Sequence, residues 1–160
     1  MKNSNKLSKL ILNTVNFYYD IADKNFHNLS SFAIVTDESF RTFLIAINTN
    51  VFFTDVKEGK VSSETYWNTA EWTEEALDYK FPSDDIEEIN DLLNSEDQVS
   101  ELFFLECCTK ALDNIRSEEN ANICLFVHIT DFAYSESLFE IVKDLNGTEV
   151  AKNYQKYFLN

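Results

Sequence analysis

Three cysteines, two histidines and 28 carboxylates are the side chains of this chain with the means to do chemistry. Cys124 and His128 share the apolar run at residues 123–130. In a strand they would lie on one face but about 13 Å apart at roughly 3.3 Å per residue, beyond the hydrogen-bond reach of a thiolate–imidazole pair. Cys107 and Cys108 reach His128 only if tertiary contact brings them there, and the three cysteines read as buried structural thiols. His27 stands in a polar connection. No Cys-x-x-Cys or His-Glu-x-x-His spacing is present, which argues against zinc. Asp84, Asp85, Glu87 and Glu88 fall at an expected helix N-terminus, where the macrodipole favours negative charge. Glu74, Glu75 and Asp78 read first as a solvated face. Two glycines in the whole chain leave no room for a phosphate-binding loop or a dinucleotide fingerprint. No catalytic residue, metal ligand or cofactor is assigned.

The charge distribution says more. Net charge is −15 over 160 residues. Residues 1–60 hold 7 basic and 6 acidic groups, net +1, and residues 121–160 hold 3 and 5, net −2. Residues 61–120 hold 3 basic and 17 acidic groups, net −14. Such a field repels nucleic acid and anionic lipid and attracts a basic protein, besides aiding solubility. Direct DNA or RNA binding needs a basic stripe that this chain lacks.

The elements that would position these groups follow from periodicity. Leu7, Leu10, Ile11, Val15, Phe17, Tyr18, Ile21 and Ala22 predict an amphipathic helix over residues 4–23. The runs at 32–37 and 43–49 predict an antiparallel hairpin, and residues 50–58 a short helix stopped near Gly59. Leu77, Tyr79 and Phe81 alternate with charged residues before Pro82, as in an edge strand. Helices are expected from Asp84 onward, over 97–117, around 138–145 and from Thr148, with a central strand at 123–130. The expected fold is α+β, with a small, mainly antiparallel sheet and helices packed against it, in a single domain spanning residues 1–160. No run is apolar enough to span a membrane and no signal peptide is recognisable, so a cytoplasmic protein is expected.

Both tryptophans fall in "YWNTAEWTEE", residues 66–75. With Asn68 as N-cap, Glu71 takes the capping-box position and Trp67 packs on Trp72 as a hydrophobic staple. On that reading the tryptophans are structural, and the acids beside them face a partner.

The segment from Trp67 to Trp72 also resembles the Trp-x-x-x-Glu-Trp signature of the uncharacterised bacterial domain-of-unknown-function family 4303. The likeness extends to Ala33–Asp37, Asn48-Thr49, Asp131 and Leu145-Asn146. Thr130 before Asp131, and Gly147 where the family has proline, depart from its pattern. The resemblance implies a compact α+β domain without an established reaction. Similar small acidic bacterial proteins often serve as immunity partners of secreted toxins.

The expectation is therefore a binding module for a basic protein partner, such as a toxin. Glu64, Glu74, Glu75 and Asp78 are the candidate contacts and Tyr66 the candidate aromatic anchor. The alternatives are an enzyme with a carboxylate-based or metal-dependent site, and a structural subunit of a larger complex. The oligomeric state stays open.

Overall fold

In the computed structural model, which describes residues 2–95, 99–130 and 135–159, the first two apolar runs become β1 (Leu29–Thr36) and β2 (Leu44–Thr49). They form the expected antiparallel hairpin, with Phe32 opposite Ile47 and Ala33 opposite Ala46. Its turn is set locally. Asp37 Oδ1 accepts from the N–H groups of Ser39 and Arg41, and the Thr42 hydroxyl accepts from Asp37 N–H. Phe40 sits there at φ 55°, a left-handed conformation costly for a bulky side chain. Its ring packs edge-on against Phe104, which ties the strained turn to the core.

The late apolar run becomes β3 (Cys124–Ile129), parallel to β1, with Leu125 beside Phe32 and Phe126 beside Ala33. The strand order is β2-β1-β3, so the sheet has one antiparallel and one parallel seam. The class is α+β, as expected. The central strand is β1 rather than β3. β3 is apolar on both sides because helices cover both sheet faces, the usual setting of a parallel strand.

Residues alternate between faces along each strand. Phe32 and Ile34 point one way, where Tyr19 of the helix α1 (Lys2–Asn25) meets Phe32 edge-on. On the other face the cross-strand row is Phe126, Ala33 and Ala46, one large residue and two small ones. The small pair leaves room for bulky side chains from the covering layer. That layer comprises α3 (Ser63–Trp67), a 3-10 turn (Thr69–Glu71) and α8 (Thr148–Leu159). Between them in sequence lie α4 (Leu77–Lys80), α5 (Asp84–Leu93), α6 (Glu101–Ile115) and α7 (Glu136–Asn146). A short α2 (Phe53–Lys57) ends before Gly59, at φ 70°, as its sequence suggested. Serines 62, 83, 100 and 135 cap α3, α5, α6 and α7, each accepting from a first-turn N–H.

At each sheet edge an asparagine side chain imitates a strand backbone. At the β3 edge, Asn146 Oδ1 accepts from Leu125 N–H at 2.8 Å and its Nδ2 donates to Leu125 C=O at 2.7 Å. Beside the start of β2, Asn90 Oδ1 accepts from Phe43 N–H at 2.7 Å. One residue of extended chain, Glu74, exchanges both backbone hydrogen bonds with Ile47.

The expected strand at residues 77–81 is instead the helical turn α4. Leu77 and Phe81 are one helical turn apart as well as two strand repeats apart, so the apolar pattern fits both periods. Tyr18 Oη donates to Phe81 C=O at 3.0 Å, and Phe81 meets Phe26 edge-on. These contacts hold the end of α4 on α1. Residues 97 and 98 of the expected helix, and Asp131, lie outside the described residues. Among the described residues no helix is long and apolar enough to cross a membrane.

Candidate functional site

Trp67 is fully buried, and Tyr66, Phe126 and Tyr154 surround it edge-on with ring centroids 4.8–5.1 Å away. Its Nε1 donates to Asn153 Oδ1 of α8 at 2.8 Å. Trp72 also packs on Phe126 and donates to Tyr66 C=O. The two indoles thus share Phe126 between them, rather than forming the expected staple. Asn68 does cap, accepting from Ala70 N–H, but it caps a three-residue 3-10 turn, too short to place Trp72 at a fourth helical position. Ser62 starts the preceding helix. The structural reading of the tryptophans holds, with a different geometry.

The candidate anchor Tyr66 is fully buried and lies against Phe53 and Trp67. It has no surface to offer a protein partner, which corrects the expectation. The exposed aromatic of this region is Tyr79, at 87% exposure. The strand reading had grouped Tyr79 with the inward Leu77 and Phe81; the helical turn sends it outward instead. The outward direction follows from the helical period, once the segment is known to be a helix.

Of the expected contact residues, Glu75 is exposed, while Glu74 is half-buried and held by Lys80 at 2.8 Å. Lys80 also lies over the Phe26 ring. Glu64 is exposed on α3, where its charge bears on Tyr157 of α8. No contact joins it to the others. Asp78 is half-buried and lines a depression of about 270 Å³ between α4 and α5. Glu87 and Asp91, one helical turn apart on α5, line the same depression with Ser83 and Asn90. The structure therefore adds Tyr79, Glu87 and Asp91 to the acidic site. Glu87 had been read as a helix-start residue, and Asp91 had gone unremarked.

The three cations of residues 61–120 are all engaged. Lys80 holds Glu74, and Lys110 holds Glu106 at 2.6 Å. Arg116 turns inward and donates to the carbonyls of Asn120, Ile123 and Leu145 and to Asn146 Oδ1, at 2.8–3.0 Å. A lysine from α1, Lys6, pairs with Glu88. Asp78, Glu87 and Asp91 form no ion pair among the described residues.

Burial raises the Asp78 carboxyl above its usual range, partly offset by the backbone amides of residues 78 and 79. Its Oδ1 is buried without a hydrogen-bond partner. Because the folded pKa exceeds the unfolded one, folding favours the protonated acid. That contribution is complete below the ordinary value of 3.8 and is lost as pH rises through the raised value. At neutral pH the ionised carboxylate therefore costs stability. Asp78→Asn is expected to stabilise the fold at pH 7 by up to about 1 kcal/mol, reduced by solvent screening. The gain should disappear in acid, as read from urea unfolding at a series of pH values.

The thiols are buried and free. Burial pushes Cys124 up to about 12 and raises Cys107 and Cys108, so none is poised as a nucleophile. His128 Nδ1 lies 2.8 Å from the Thr69 hydroxyl. Among the described residues no group of three or more His, Cys, Asp or Glu side chains is arranged to hold a metal ion.

Taken together, a mixed sheet covered on both faces and bearing an acidic depression at one flank defines a small α+β domain. The chain belongs to the family described as a domain of unknown function, DUF4303, which matches residues 13–147. Neither a curated protein nor a solved structure matches it.

Proposed function

We propose that this protein is a binding module that presents the α4–α5 depression to a basic protein partner, acting as a bacterial immunity protein against a toxin. One observation carries the reading. Within the third of the chain that holds net −14, every cation is already engaged, leaving Asp78, Glu87 and Asp91 to share a depression without one. A lysine or arginine from a partner supplies the missing charge. The exposed Tyr79 on α4 supplies an aromatic contact of the kind that dominates interface energetics.

A second reading is an acid–base enzyme, favoured by the raised, half-buried Asp78 in a depression with other carboxylates. On that reading the occupant is a small substrate rather than a protein.

A photoreactive phenylalanine derivative placed at position 79 and irradiated in the native host separates the two. The binding module predicts a covalent adduct with one basic protein, absent when the same group replaces exposed Lys152. Equal labelling from both positions, or no protein adduct at 79, rejects it.

A further inference from the structure

α6 and α7 lie side by side and run in the same direction. Leu102 and Leu105, near the start of α6, line a hollow of about 320 Å³ together with Ser137 and Ile141, near the start of α7. Asp113, at the end of α6, lines a second hollow of about 220 Å³ with Asp144 and Leu145, at the end of α7. Thr109 and Lys110 line both, so the two form one groove. From Leu102 to Asp113 it extends about 16 Å, roughly three helical turns. None of its lining residues belongs to the α4–α5 depression.

The two ends of the groove differ in chemistry. At the first, Leu105 is buried, Ile141 half-buried and Leu102 75% exposed, an apolar surface left in water. Its polar neighbours are satisfied among themselves: Thr109 Oγ1 donates to Leu105 C=O, and Lys110 donates to Glu106. At the second end, Asp113 and Asp144 are exposed, and neither forms an ion pair among the described residues. Each lies in the last turn of its helix, where the macrodipole disfavours a carboxylate. The cations nearby are directed elsewhere. Lys143 holds Glu140, and Arg116, whose charge does bear on Asp113, donates to carbonyls and to Asn146. A binder matched to this groove is apolar at one end and cationic at the other.

We propose that the α6–α7 groove docks an amphipathic helix of a partner protein. Leucine-type side chains cover Leu102, Leu105 and Ile141, and a lysine or arginine about two turns away meets Asp113 and Asp144. A third helix packs naturally along two parallel ones, and anchors three or four residues apart reach one groove. A second copy of this chain, at net −15, would bring like charges together, and a hydrocarbon would leave both acids unmatched. The proposal is independent of the partner-binding reading, because the two sites have no residue in common.

Fluorescence anisotropy and amide chemical shifts, with alanine-based helical peptides as probes, test it. Each probe carries leucines on one face of two turns and two lysines on the same face of the next, and both chain orders are made. At low salt, one order is expected to bind saturably and to shift the amides of α6 and α7. Serine in place of its leucines should abolish binding. Asp113→Asn combined with Asp144→Asn should weaken binding roughly tenfold, the effect of two exposed ion pairs. Leu102→Ser should weaken it to a similar degree, and circular dichroism should show both variants folded, since all three side chains are exposed. The proposal is overturned if neither order binds saturably, if the shifts fall on α4 and α5 instead, or if affinity is unchanged in the two variants. Shifts in the groove that follow the concentration of the protein alone would assign it to a second copy and overturn it as well.

Discussion

Replacing Arg116 with alanine lowers the free energy of unfolding by about 3 kcal/mol or more, because several charge-assisted hydrogen bonds disappear at once. The guanidinium joins three otherwise separate pieces of chain. It reaches Asn120 and Ile123 in the connection before β3, and Leu145 and Asn146 at the end of α7. Asn146 in turn holds the β3 edge through Leu125, so the loss spreads to the sheet. Burial lowers the Arg116 pKa, but a guanidinium stays charged at any working pH. The staple is therefore not a pH switch. Arg116→Lys should recover only a minor part of the stability, since one ammonium cannot address four acceptors on two sides. Urea unfolding of both variants measures this. A loss below about 1 kcal/mol in the alanine variant, the size of one ordinary hydrogen bond, would show that the staple is not structural.

Trp67→Ala is the second large effect, at about 4 kcal/mol, the usual cost of emptying a buried tryptophan site. The cavity would lie where α3, α8 and β3 meet, and Tyr66, Phe126 and Tyr154 would each lose an edge-on neighbour. Trp67→Phe keeps much of the volume but leaves Asn153 Oδ1 without its donor, for about 1–2 kcal/mol. If Trp67→Phe were as damaging as Trp67→Ala, the hydrogen bond to α8, rather than the ring packing, would dominate. Unfolding followed by circular dichroism distinguishes the two, without relying on the tryptophan signal being removed.

Much of this architecture was legible in the residue pattern, and the misreadings have physical causes. Long helices declare themselves: Leu7 to Ala22 mark α1, and Asn146-Gly147-Thr148 marks the junction of α7 and α8, where Gly147 takes φ 88°. The hairpin followed from two apolar runs around a polar connection. Parallel pairing of β3 with β1 was hidden, because strand order depends on contacts distant in sequence, although the two-sided hydrophobicity of β3 did signal cover on both faces. α4 was misread because Leu77 and Phe81, four residues apart, satisfy a helical turn as readily as a strand. An extended segment there would also need a sheet edge, and Asn90 and Glu74 already occupy the hydrogen-bonding groups around β2. That single error placed Tyr79 in the core, whereas the structure has it on the surface. Tyr66 was misplaced for the converse reason. It was taken as the aromatic anchor of the acidic face, but Ala33 and Ala46 leave a hollow that the aromatic cluster fills. Glu87 and Asp91 escaped notice as partners of Asp78 because they converge only through the packing of α4 and α5 on α1.

An acidic site of this kind acts first on encounter, since complementary charge raises the association rate more than it tightens the final complex. The most direct test is the rate of association with the basic protein captured through position 79, at low and high salt. It compares the native sequence with the variant Asp78→Asn, Glu87→Gln, Asp91→Asn. The account predicts that association of the native protein slows steeply with salt, and that the variant associates at least roughly tenfold more slowly at low salt. The two rates should converge at high salt, where the field is screened. Superimposable rates for the two proteins across the whole salt range would contradict it.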